Sequence, residues 1–314
     1  MTTIKIFAPA STANFIVGFD SLGLALKSID DTLMGDIVTI KKNAETVFSV
    51  TGKFAHKVPK NIKNNIISHC CDFFHQKLQQ HGKAIKNFHL ELEKCLPVGS
   101  GLGSSASSIV AVLVALNIFY NEIFSKQILL QFAGEMEAHI SGNIHYDNVA
   151  PSLYGGFQLL LPGKPSINHP LPFFEDWHLV IHYPGIAVTT QDARNILPKS
   201  FKLADVRNYW QKLATFIHAL HTKNRTLAIG LLQDTLIEPH RASLIPHFSD
   251  TYKSALNAGA LAFGISGSGP SYFALVDTIQ KAKEIKKAIT EVAPHNKEAL
   301  SWICTIDQQG ARPL

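Results

Sequence analysis

Charge is scarce in this chain: only 17% of its 314 residues are Asp, Glu, Lys or Arg. Arginine is scarcer still, with Arg194, Arg207, Arg225, Arg241 and Arg312 the only five among 29 basic residues. The lysines, such as Lys63, Lys77, Lys83, Lys86 and those between 281 and 287, are scattered. They form no stripe interleaved with aromatics, which argues against nucleic acid as a partner despite a net charge of +5. That mild positive potential suits small anionic substrates instead. Four cysteines, Cys70, Cys71, Cys95 and Cys304, lack any CxxC spacing, so free thiols are expected. No HExxH accompanies the 15 histidines, and no G-x-S-x-G elbow marks a hydrolase. The strongest apolar run, Ile109 to Leu116, falls far short of the ~18–20 residues that cross a bilayer. The first ten residues alternate like a strand and lack a signal-peptide core, so a cytoplasmic protein with no membrane partner is expected.

A chain of this length suits one large domain or two ordinary ones and buries enough surface to need no staples. Alternation predicts strands at Ile4–Ala8, Asp36–Lys41 and Phe88–Glu93. Helical spacing runs from Asn64 to Gln80, and Ser125 is a candidate N-cap for a helix through Met136. A strand is expected within Gly155–Leu161, and Pro162-Gly163-Lys164-Pro165 looks like a break. Beyond it come a strand at Trp177–Tyr183 and helices near 203–220, 222–237, 249–258 and 279–291. A Gly/Ser segment, Gly264 to Pro270, precedes a strand at Ser271–Val276. The pattern is α+β in two halves, 1–165 and 166–314, and a cleft between such halves favours an active site.

The richest local signal is Pro97-Val98-Gly99-Ser100-Gly101-Leu102-Gly103-Ser104-Ser105-Ala106-Ser107, which runs straight into an apolar helical stretch. Glycines let backbone approach a ligand closely, and a helix start offers unpaired N–H groups with partial positive charge. Together they make a cradle for phosphates. No Gly-Lys-Ser/Thr closes the segment, so it is not a Walker loop, and Ser104 stands where the dinucleotide fingerprint needs a glycine.

The pattern Pro-x-x-x-Gly-Leu-x-Ser-Ser-Ala resembles the central signature of the GHMP kinase superfamily. The segment from Ala8 through Asn14 to Asp20 is similar to the first signature of its homoserine kinase branch, and Gly264–Pro270 to the third superfamily motif. Mevalonate kinases carry a lysine near the first motif that Ala10-Ser11-Thr12 lacks. The resemblance implies a two-domain GHMP kinase fold: an N-terminal ribosomal-protein-S5-like α/β domain that binds nucleotide, and a C-terminal ferredoxin-like α+β domain. It implies ATP-dependent phosphorylation of a small molecule, an amino acid in the homoserine kinase branch. It also allows a homodimer.

Residue by residue, the resemblance assigns Pro97–Ser107 with Gly267 and Ser268 to the phosphates of ATP, and Ser105 with Glu137 to Mg²⁺. A hard divalent cation takes oxygen ligands, and both supply one. Glu135, on another face of the same predicted helix, is expected in solvent. Asn14, Asp20, His145 and Asn148 would hold substrate, with Asn148 near the reacting hydroxyl. Asp147 matches the general base of mevalonate kinases, a role homoserine kinases have been argued to do without. Arg194 and Arg241 match positions that grip a substrate carboxylate, the task for which a planar guanidinium is suited. An adenine pocket is expected near Asn61–Ile67.

Overall fold

The computed structural model describes residues 3–61, 64–161, 166–293 and 296–314, with all side chains but those of Ile140 and Ser141. The expected break at 162–165 lies outside these residues. Two sheets organise the chain. The first has five strands in the order Arg312–Pro313, Ile4–Pro9, Gly35–Lys42, Phe88–Glu93 and Val47–Thr51. Helices Ile66–Gln80, Ser104–Phe119 and Lys126–Ser141 pack with it. The second sheet runs Ala262–Ile265, Tyr272–Val276, His178–Tyr183, Leu300–Ile306, Leu22–Ser28, Phe157–Leu160 and Asn168–Leu171, with Ser11–Ala13 paired beside Leu22–Ser28. Strands from both ends of the chain therefore mix: Leu22–Ser28 joins the second sheet, and the C-terminal strand closes the first.

The helix Ser104–Phe119 is apolar nearly all round, and it is buried from Ala106 through Leu113 against the first sheet and the helices on either side. Its end is tied by Asn117, which donates to the Phe124 carbonyl (2.9 Å) and accepts from the Phe124 N–H (3.0 Å). Asn65 and Ser125 cap their helices by accepting from Ile67 N (3.1 Å) and Ile128 N (3.3 Å). All four cysteines are free, and Glu135 pairs with Lys77 at the surface.

Two expectations need correction. The helix expected after Ser107 starts at Ser104, because Gly103 turns left-handed (φ 62°) and lets the next residue enter the helix at once. The single helix expected at 222–237 is instead Arg225–Leu231, then a loop, then a four-residue turn Glu238–Arg241. Asp234 interrupts it: its carboxylate accepts from the N–H groups of Leu236 (2.8 Å), Ile237 (2.9 Å) and Glu238 (3.0 Å), starting a new turn.

Candidate active site

Asn14, Phe15 and Ile16 make one left-handed turn, with φ of 72°, 39° and 68°. Such a turn costs L-residues roughly 1–2 kcal/mol each. It persists because Phe15 is driven into a cluster with Phe157, Phe173, Phe216 and Phe273, at ring separations of 4.9 to 6.1 Å. The turn closes with Gly18 N donating to Asn14 O (2.8 Å). Asn14 then reaches both ways. Its Oδ1 accepts from Asp20 N (3.0 Å), and its Nδ2 donates to Gly267 O (2.9 Å).

An open cleft forms there. It brings together Asn14, Asp20, Glu137, His145, Asp147 and Asn148 with Arg194, Arg241, Gly267 and Ser268. Arg194 Nη2 donates to Asp20 Oδ1 (2.8 Å) and lies 3.3 Å from His145 Nδ1. Arg241 is buried; its Nη1 donates to Gly267 O (2.9 Å) and its Nε to Ala193 O (3.0 Å). Both guanidiniums stand over the Phe19 ring, at 5.6 and 5.0 Å. Burial, then the charge of Arg194, pulls the Arg241 pKa below its ordinary value, with Asp20 and Asp147 opposing. Burial also lowers the pKa of His145, which favours the neutral imidazole. Asn148 does not cap the helix Val149–Tyr154 that it precedes; its Oδ1 accepts from Ser11 Oγ at 2.9 Å.

Negative charge gathers on the other wall. Ser105 Oγ donates to Glu137 Oε2 at 3.0 Å, joining the first turn of one helix to the C-terminal half of another. Burial raises the Glu137 pKa although Ser105 and Lys94 oppose it. Asp147 is pushed up to about 7 by burial first, then by Asp20 and Glu137.

The segment Pro97–Gly103 does not itself line this cleft but abuts it through glycines. A Cβ on Gly103 would lie 2.1 Å from Ser11 Oγ and 2.9 Å from Asn148 Oδ1. One on Gly101 would meet the Ser266 carbonyl at 2.4 Å. The third loop thus docks on the glycine loop, and Ser266 Oγ lies 2.7 Å from Gly101 O. Of the adenine stretch 61–67, residues 62 and 63 lie outside the described residues, and Asn65 is buried as a cap.

Sequence reasoning missed a support beneath the glycine loop. Asp36 and Lys94, 0% and 3% exposed, form an ion pair. Asp36 Oδ1 accepts from Cys95 N (2.9 Å) and Leu96 N (3.1 Å), and Ser108 Oγ donates to its Oδ2 (2.6 Å). Lys94 Nζ donates to Ser104 O (2.7 Å). One buried carboxylate and its lysine therefore hold both flanks of the loop. A lone lysine next to Glu93 gives no local sign of this.

Comparison with known proteins agrees with this geometry. Residues 65–156 match the family model for the GHMP kinases N terminal domain, and 216–295 that for GHMP kinases C terminal. A homoserine kinase of Buchnera aphidicola subsp. Cinara cedri is 46% identical over 311 residues, which is 99% of this chain and 98% of that relative. The chain belongs to the GHMP kinases. It is therefore an ATP-dependent small-molecule kinase. Among solved structures, this GHMP kinase superposes on the homoserine kinase of Cytophaga hutchinsonii with a TM-score of 0.89 and 36% identity. That match covers 100% of this chain and 98% of the other. The L. major mevalonate kinase, 17% identical with a TM-score of 0.69 over 98% of this chain and 97% of its own, shares the fold.

Proposed function

We propose that the chain transfers the terminal phosphoryl group of ATP to the side-chain hydroxyl of L-homoserine, giving O-phospho-L-homoserine for threonine biosynthesis. The observation that carries this reading is the convergence of two scarce arginines with an acidic residue in one cleft beside the glycine loop. An α-amino acid is a zwitterion. Its carboxylate suits Arg194 and Arg241, and its ammonium suits Asp20 and the Asn14 side chain. Mevalonate has no ammonium for Asp20 to receive. The two relatives named homoserine kinase, at 46% and 36% identity over nearly the whole chain, support the same choice.

Glu137 and Ser105 fit a magnesium ion. Two oxygen donors meet there, and the charges of Asp20 and Glu137 already weigh on the nearby Asp147 carboxyl, a load that a cation would offset. Mg²⁺, when bound, neutralises charge on the transferring phosphoryl group. The residues of this chain do the positioning. The 97–103 backbone and the start of helix Ser104–Phe119 receive the phosphates. His145 and Asn148 orient the hydroxyl, with Asp147 beside them as a positioning group rather than the base. The rate then comes chiefly from alignment and preorganised charge. The nucleotide half is taken as 1–165 and the second as 166–314, the two family matches falling one on each side. A cytoplasmic site of action belongs to the same proposal.

Steady-state ADP release tests the substrate. Homoserine should be phosphorylated, and the amino alcohol lacking its carboxylate should be very poor. Arg194→Ala or Arg241→Ala should lower kcat/KM on the order of 10²-fold, since an unpaired charge costs ~2–5 kcal/mol. Near-normal efficiency in both variants would sink the assignment.

A further inference from the structure

The third loop is held from behind by the turn Glu238–Arg241, which carries a carboxylate that the chemistry above does not use. Arg241, at the end of this turn, binds the Gly267 carbonyl and also the carbonyl of Ala193, the residue before Arg194. One guanidinium therefore ties the loop to the segment bearing the other arginine. Glu238, three residues earlier, accepts a hydrogen bond from Ile265 N at 3.1 Å. Ile265 ends the edge strand of the second sheet, two residues before Gly267. A Cβ on Gly264 would sit 2.6 Å from Ile16 Cγ1 and 3.3 Å from Glu238 Oε2, so a glycine is required for the strand to close on both. Asp234 fixes the backbone N–H of Glu238 in turn (3.0 Å). Behind the loop, Asn14, Asp234, Glu238 and Arg241 line a narrow pocket together with Ile16, Ile237 and Ile265, so polar groups share with apolar packing in bracing the loop there.

We infer that Glu238 is a positioning residue for the amino-acid substrate. By holding the Ile265 N–H it sets the Gly267 carbonyl, and through that carbonyl the side chains of Arg241 and Asn14. This rests on the reading of the cleft given under Proposed function. The glycine loop on the phosphate side has its own support in Lys94 and Asp36, so the effect falls first on the amino acid. Burial and Asp234 push Glu238 up to about 8, so at neutral pH the side chain is mostly the neutral acid. Glutamine matches that form in size, charge and acceptor oxygen.

The test uses Glu238→Ala and Glu238→Gln in the full chain. Losing a hydrogen bond of this kind is worth about tenfold in an equilibrium constant. The alanine variant should raise KM for homoserine about tenfold, with KM for ATP and kcat within about twofold of wild type. The glutamine variant should restore KM. Amide exchange at Ile265, read by NMR, should speed up in the alanine variant and return to wild-type protection in the glutamine variant. An unchanged homoserine KM in a folded alanine variant overturns the inference, as does an ATP KM that rises in step. Should wild type leave homoserine untouched, the substrate reading fails, and unchanged Ile265 exchange would then refute the clamp separately.

Discussion

Replacing Asp147 by Asn should stabilise the protein above neutral pH while changing the pH dependence little below about pH 4. The side chain is 6% exposed, and burial with the charges of Asp20 and Glu137 pushes it from 3.8 to about 7. In the unfolded chain the proton leaves near 3.8; in the folded protein it stays until about 7. Below both values the two states bind the proton alike, and the stabilising contribution of the neutral acid is fully present. As pH rises the unfolded state alone gains from ionising, so stability falls by about 1.4 kcal/mol per pH unit until the folded-state value is passed. Across the interval between the two values, about three pH units wide, the loss reaches roughly 4 kcal/mol. Urea unfolding of wild type and Asp147→Asn at intervals between pH 3.5 and 8.5, a range of about five units, reads this group together with its coupling to Asp20 and Glu137, while distant groups cancel in the difference. That difference should be flat at the acid end, climb through the middle and level off near 4 kcal/mol. A constant difference across the range would mean that Asp147 ionises in the folded protein as it does in the unfolded chain. The reasoning about its neutral form would then be wrong.

Other variants probe the opposite walls of the cleft. Glu137→Gln keeps the shape but removes the charge that attracts Mg²⁺, so activity should fall sharply and recover in part at high Mg²⁺; an unaltered magnesium dependence rules the assignment out. Because the hydroxyl proton leaves late in a loose phosphoryl-transfer transition state, Asp147→Asn should keep a higher kcat than Glu137→Gln, and the reverse order would make Asp147 the base. Lys94→Met strands the fully buried Asp36 and should cost about 3–5 kcal/mol in urea unfolding, part of it regained by Lys94→Met with Asp36→Leu. A loss below about 1 kcal/mol would show that water reaches the pair.

What could be read from the sequence followed from how local its cause was. The helices at Ile66–Gln80 and Lys126–Ser141 carry their caps and apolar faces within one stretch of chain, and the start of each was legible to within two residues. The strand Leu22–Ser28 was not. Its sequence, Leu-Gly-Leu-Ala-Leu-Lys-Ser, contains weak strand formers, and burial on both faces erases the alternation that marks a half-exposed strand. Its partners are the short Ser11–Ala13 nearby and, far along the chain, Phe157–Leu160 and Leu300–Ile306.

The site divides along the same line. Asn14, Asp20, His145, Arg194 and Arg241, which line one cleft, were singled out through their resemblance to the family's motifs, the arginines also because a guanidinium suits a carboxylate. The residues that aim them are not so marked. Nothing in Asn-Phe-Ile predicts three successive residues at positive φ; the turn exists because Phe15 finds four aromatic rings contributed by distant segments. Likewise Glu238 reads as an ordinary helix residue until Asp234 breaks the helix and turns it toward Ile265. Strain at Asn14 and the burial of the Asp147 carboxyl each cost the fold stability locally, and Asp36 is tolerated only because Lys94 pairs with it. Each also lies within one or two contacts of a residue that the substrate or the phosphates should touch. That coincidence is what a site built for preorganisation requires: groups held where reaction needs them, against their own preference, by packing supplied from elsewhere in the chain.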